Sequence, residues 1–105
     1  MRTFTDNAGR TWSVSLNVDA LKRVRSLCDV DLMNVVQDNG TLLARLADDP
    51  VLLCDVLYAV CREEAQAQGV TDVEFGRAMG GDAIAGAADA LLQELVGFFP
   101  SPKRG

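Results

Sequence analysis

The sequence predicts a small, mainly α-helical domain of the α+β class: a helical bundle around a central helix near residues 50–68, with an N-terminal β-hairpin. Two observations support this fold class. Several segments carry apolar residues at helical spacing and begin at helix-capping residues. The first 16 residues instead alternate around a turn sequence. A chain of 105 residues fits one such domain, which we place at 1–99, followed by a short flexible tail at 100–105.

The N-terminal segment, about residues 2–16, predicts two short antiparallel strands. Phe4 precedes the turn sequence Asp6-Asn7-Ala8-Gly9, and apolar residues at alternate positions follow it: Trp12, Val14 and Leu16. Because an isolated hairpin is marginally stable in water, we expect this apolar face to lie on the helices. Trp12 is then an anchor between the hairpin and the helices rather than a ligand-binding residue.

A first helix is predicted over residues 20–28, capped by Asn17 or Asp19. Its apolar positions are Leu21, Val24, Leu27 and Cys28. Its basic residues, which fall largely on the other side, are Lys22, Arg23 and Arg25. A basic cluster of this kind is usually a solvated face, and the acidic total charge makes nucleic-acid binding an unlikely use for it.

Residues 29–40 predict irregular or short extended structure. Asp29 and Asp31 begin like a calcium-binding loop, but Asn34 stands where that loop requires glycine and the closing glutamate is absent. We therefore expect no calcium site. A short helix over residues 42–47, capped by Thr41, should then supply three leucines to the core: Leu42, Leu43 and Leu46.

The central helix is predicted over Pro50–Gln68. Asp48 or Asp49 can cap it, and Pro50 suits the first helical position, where an amide N–H is not needed. The core-facing positions are Leu53, Val56, Leu57, Val60 and Cys61. Cys54 and Cys61 are too far apart along one helix for a disulfide, so we expect buried thiols. The paired acids Asp48-Asp49 and Glu63-Glu64 suit capping or solvation.

Two more helices are predicted beyond Gly69, which suits a helix C-terminus. Thr71 and Glu74 form a capping box that starts a helix at Asp72, and this helix carries Val73, Phe75, Ala78 and Met79. Gly80-Gly81 ends it, and Asp82 can cap a last helix from Ala83 to about Phe98. One side of the last helix carries Ile84, Ala87, Ala88, Leu91, Leu92, Leu95 and Phe98. The small residues Ala85 and Gly86 should let another helix approach its first turns closely.

The sequence contains few groups suited to catalysis. It has no histidine, no cysteine pair at the spacing of a zinc or redox site, and no glycine-rich phosphate loop followed by lysine. We therefore expect no enzyme activity, no cofactor and no metal site. The net charge of −5 disfavours nucleic acids and anionic membranes and favours a basic partner surface. The lack of an N-terminal apolar signal region and of a membrane-spanning run predicts a cytoplasmic protein.

The C-terminus offers candidate contact residues for a protein partner. Phe98 and Phe99 are adjacent, and neighbouring residues of one helix cannot both face the same core. One of them is therefore a candidate for partner contact. In the alternative interpretation, Phe98 closes the core and Phe99 folds under the hairpin. The candidate partner-binding residues are Leu95, Phe98 and Phe99.

The order of features along nearly the whole chain resembles a family of small bacteriophage and prophage proteins, the tail assembly chaperones. The segments that carry the resemblance are FTDNAGRTWSVSL, VDL, LLARLADDPVLLCDVLYAVC, GVTDVEFGRAMGGDAI and ALLQELVGFFPSPKR. The resemblance implies a nonenzymatic helical protein of the host cytoplasm that binds the tape measure protein, helps recruit tail tube subunits and commonly self-associates. It transfers no defined binding residue. The alternatives are a structural tail or connector component of the virion and a small helical regulatory protein.

Overall fold

The computed structural model describes residues 2–32 and 41–98, apart from the side chains of residues 41–43, Ala47 and Phe98. Much of the segment 29–40, including Asn34 of the rejected calcium loop, and the whole tail 100–105 lie outside the described residues. The elements in chain order are β1 (Arg2–Thr5), β2 (Thr11–Val14), α1 (Val18–Cys28), α2 (Thr41–Asp48), α3 (Pro50–Val60), α4 (Arg62–Gln68), α5 (Asp72–Arg77) and α6 (Asp82–Phe98). The predicted fold class, a helical protein with an N-terminal hairpin, is confirmed.

The hairpin forms as the alternation predicts. β1 and β2 pair antiparallel with Phe4 opposite Trp12, and Gly9 in the connecting turn takes a positive φ of 84°. Phe4, Trp12 and Val14 are buried, and the half-buried Leu16 packs against the same core. The tip of the hairpin is fixed to the loop before α6, because the Asn7 amide donates a 2.8 Å hydrogen bond to the Ala78 carbonyl.

Helix α1 begins at Val18, with Asn17 as its cap: the Asn17 side chain accepts a 2.8 Å hydrogen bond from the Ala20 amide. Val24 is buried as predicted. The prediction that Leu27 faces the core is wrong, because its side chain is 53% exposed. The helix ends at Cys28 and the chain turns at Asp29 in the left-handed region, so that Val30, beyond the helix, enters the core instead.

The predicted central helix is interrupted. Asp49 caps α3, and the five core positions predicted for this segment are all buried: Leu53, Val56, Leu57, Val60 and Cys61. The prediction of one continuous helix to Gln68 is wrong, since Cys61 separates α3 from α4. At this break the carbonyls of Ala59 and Val60 accept hydrogen bonds from Arg23 of α1, at 3.0 and 3.3 Å. These bonds satisfy carbonyl groups at the end of α3.

Helix α5 starts with the predicted capping box, in which Thr71 and Glu74 exchange side-chain and backbone hydrogen bonds. Its Phe75 is fully buried and meets Trp12 and Tyr58 in edge-to-face contacts, with ring centroids 5.1 and 5.3 Å apart. This aromatic cluster joins the hairpin to α3 and α5. The Tyr58 hydroxyl donates a 3.1 Å hydrogen bond to the carbonyl of Val70.

Helix α6 packs mainly on β1 and also on α3. The predicted close approach of another helix at Ala85 and Gly86 is wrong, because both residues are exposed and a Cβ added to Gly86 would meet no atom within 4 Å. The buried small residues of α6 are Ala83, Ala87 and Ala90. Of these, Ala87 belongs to the predicted apolar side, whereas Ala83 and Ala90 were not assigned to it.

Candidate partner-binding surface

The three candidate contact residues at the C-terminus have different positions. Leu95 lies in the core with 1% of its surface exposed. Phe98 is the last residue of α6, and its side chain is outside the described part of the chain, as is the whole of Phe99. Leu95 therefore packs the last turns of α6 against the core. The exposed surface of these turns is formed by other residues of α6.

Those neighbours form a surface with two exposed apolar side chains that we call the outer α6 face, defined by Asp89, Leu92, Gln93 and Val96. Leu92 is 41% exposed and Val96 69% exposed, and they lie one helical turn apart. The prediction that Leu92 lies on the apolar side of the last helix that faces the core is therefore wrong. Gln93 donates a 3.1 Å hydrogen bond to Asp89 beside them. The sequence signal that could have revealed this face is the spacing of Leu92 and Val96, because Val96 is apolar but lies outside the predicted core stripe.

A second surface is a cleft of about 430 Å³ between α1 and α5, which we call the α1–α5 groove. Helices α3 and α4 contribute most of its lining. The lining residues are Leu27, Cys28, Asp55, Tyr58, Ala59, Arg62, Gln66 and Asp72. The exposed Leu27, which was predicted to face the core, thus lies beside a concave surface.

The groove carries an excess of negative charge. Asp55 and Asp72 are exposed, and neither forms an ion pair with another residue of the described segments. Burial raises the pKa of the Cys28 thiol, and the charge of Asp55 raises it further. Burial likewise raises the pKa of Cys54, with smaller contributions from Asp55 and Asp72. Both thiols are therefore protonated and weakly nucleophilic at neutral pH.

Cys61, the third cysteine, and Glu64 cover the outer edge of strand β2. The Ser13 amide donates a 2.7 Å hydrogen bond to Glu64, and the Cys61 thiol donates to the Ser13 carbonyl at 3.6 Å. These contacts occupy backbone groups on the edge of β2, where another strand could otherwise pair. Glu64 is therefore a bonding partner of the sheet and not simply a solvated acid. Burial raises the pKa of Cys61 to about 12.

The basic cluster of α1 is mostly engaged within the molecule. Arg23 is half-buried, bonds the end of α3 and pairs with Asp19 on its own helix. The Arg25 guanidinium lies 3.4 Å from the Asp31 carboxylate. This corrects the prediction of a solvated face for Arg23, whereas Lys22 and Arg25 are exposed.

Within residues 2–32 and 41–98, no group of three or more His, Cys, Asp or Glu side chains could hold a metal ion. In the same part of the chain, no helix combines the length and the apolar character needed to cross a membrane. Comparison with known proteins found no matching family model, no matching curated protein and no matching solved structure.

Proposed function

We propose that this chain is a nonenzymatic assembly chaperone for bacteriophage tails, which binds a helical segment of the tape measure protein in the host cytoplasm. The observation that supports the proposal most is the outer α6 face. It exposes Leu92 and Val96 on a 17-residue helix, directly before the candidate contact residues Phe98 and Phe99. The order of sequence features that resembles this family adds to the proposal.

The outer α6 face has the properties of a docking surface for an amphipathic helix. Apolar side chains that protrude from one helix at a spacing of four residues can pack against the apolar face of a second helix. Covering the exposed parts of Leu92 and Val96 would contribute about 1 kcal/mol for each side chain. A long helical client could be kept soluble by such contacts, repeated by several copies of the chaperone.

The partner is tested by expressing the chain together with the products of its neighbouring genes and identifying the captured proteins by mass spectrometry. The proposal predicts recovery of a very long helical tail protein, which should be less soluble when expressed alone. A tail protein that is equally soluble and unbound would contradict it.

The protein content of purified phage particles distinguishes a chaperone from a structural tail component. A chaperone should be absent from finished particles. A structural component should be present in them at a fixed ratio to the other tail proteins, and that result would overturn the proposal.

A further inference from the structure

The α1–α5 groove brings together two features on one concave surface. More than half of the Leu27 side chain is exposed beside the groove. Val30, which follows the end of α1, is buried in the core instead. Two carboxylates from different helices, Asp55 of α3 and Asp72 of α5, line the same cleft without a basic partner in the described segments. An apolar side chain and carboxylates that face one concave surface offer the apolar and charged contacts that a complementary protein partner can use.

We propose that the α1–α5 groove binds a basic amphipathic helix of a partner protein. An apolar side chain of that helix packs against Leu27 and Tyr58, and a Lys or Arg side chain pairs with Asp55 and Asp72.

The charge of the lining selects this occupant. Among the described lining residues, Arg62 is the one cation and stands against two carboxylates, so this part of the groove favours positive charge. The net charge of −5 for the whole chain acts in the same direction over longer distances. The volume of about 430 Å³ is enough for side chains that project from a helix lying across the cleft.

This inference rests on the proposed function for the existence of a helical partner, and it adds the chemistry of the segment that is bound. The groove involves α1 and α5, whereas the outer α6 face involves a helix that packs mainly on β1. A single long helical client could therefore contact the protein at two surfaces, or two segments of the client could be bound separately.

The test uses a synthetic helical peptide of leucine and lysine, with the leucines on one face, and a scrambled peptide of the same composition. Binding is measured by fluorescence anisotropy at about 0.15 M salt, where long-range attraction between exposed charges is largely screened. The variant Asp55→Asn/Asp72→Asn removes the carboxylates of the groove. The control Asp48→Asn/Asp82→Asn changes the net charge by the same amount at exposed positions outside both the groove and the outer α6 face.

We expect the groove variant to raise the Kd of the amphipathic peptide about tenfold or more, and the control variant to change it by less than about twofold. Equal effects of the two variants, or equal binding of the scrambled peptide, would overturn the inference. Amide chemical shifts of the wild-type protein give a second readout that does not depend on the folding of a variant. Peptide-induced shifts should centre on Leu27 and Gln66, and shifts centred on Leu92 and Val96 would place the peptide elsewhere.

Sedimentation of the wild-type protein tests the other occupant, a second copy of this chain. A dimer that dissociates in the groove variant but not in the control would overturn the proposed partner. The capture of a tail protein does not enter this experiment, so the peptide result and the proposed chaperone function can fail separately.

Discussion

The indole nitrogen of Trp12 donates a 2.9 Å hydrogen bond to the carboxylate of Asp6, whose side chain is 0% exposed. The same carboxylate accepts hydrogen bonds from the Ala8 and Arg10 amides and from the Arg10 guanidinium, each at 2.9 Å. Asp6 therefore holds the hairpin turn closed and orients the ring that packs on Phe75. The marginal two-stranded sheet is joined to the helical core through this pair of residues.

Asp6 should make the stability of the protein depend on pH. Burial tends to raise the pKa of Asp6, but the hydrogen bonds from Trp12, Arg10 and Ala8 outweigh it and lower the pKa. The stabilising contribution is therefore present above the unfolded-state pKa of about 3.9 and is lost as the pH falls through the lower folded-state pKa. We expect Asp6→Asn to lower the free energy of unfolding by about 1 to 3 kcal/mol at pH 7.

Urea unfolding at pH 7 and at successively lower pH values measures this effect. The difference between wild type and Asp6→Asn should shrink below about pH 4. The exposed Asp48→Asn is the matched control and should stay within about 0.5 kcal/mol of wild type at pH 7. A difference for Asp6→Asn that grows on acidification would contradict the assignment.

The core is tested at Leu57, which is fully buried in α3. Leu57→Ala should cost about 2 to 5 kcal/mol, because the substitution removes apolar contacts and leaves a cavity. Val51→Ala on the same helix removes an exposed side chain and should cost less than about 0.5 kcal/mol. Chemical denaturation measures the free energy of unfolding of both variants. Similar losses of stability in the two variants would contradict the burial of Leu57 in the core.

Arg23 should stabilise the fold by bonding the carbonyls at the end of α3. Arg23→Met keeps much of the apolar stem but removes these hydrogen bonds, so it should lower the free energy of unfolding by about 1 to 2 kcal/mol. Lys22→Met, at the exposed neighbouring position, is the control. The same small effect in both variants would show that the Arg23 contacts contribute nothing measurable.

The three thiols should differ in reactivity. Cys28 and Cys54 are half-buried, whereas Cys61 is buried and its pKa is raised to about 12. Because the thiolate is the reactive form, a thiol reagent should label Cys61 last in the folded protein. Asp55→Asn should speed the labelling of Cys28 and Cys54, since it removes a negative charge that raises both pKa values. Time-resolved peptide mapping measures the order, and early labelling of Cys61 would refute it.

Local sequence signals predicted much of this fold. The alternation around Asp6 to Gly9 predicted the hairpin, and the capping residues Asn17, Asp49 and Thr71 predicted the starts of three helices. Each signal depends on residues a few positions apart, and for this reason it can be read without knowledge of the tertiary structure.

The errors concern positions where distant segments decide the outcome. The break at Cys61 lies beside the bonds from Arg23, which comes from another helix. Leu27 and Leu92 have the right spacing for a core face but lie at the edge of the packed region, where apolar periodicity no longer distinguishes buried from exposed residues. These two leucines belong to the two candidate binding surfaces, and the sequence pattern alone assigned both to the core.

The most direct test of the proposed chaperone function is the capture of the tape measure protein by a variant of the outer α6 face. Leu92→Ser/Val96→Ser should abolish capture in co-expression, whereas Val73→Ser, which alters an exposed apolar residue on α5, should preserve it. Circular dichroism and thermal unfolding establish that both variants are folded. Loss of the tail protein with the α6 variant and its retention with the α5 variant is the predicted result. Equal capture by both folded variants would contradict the account.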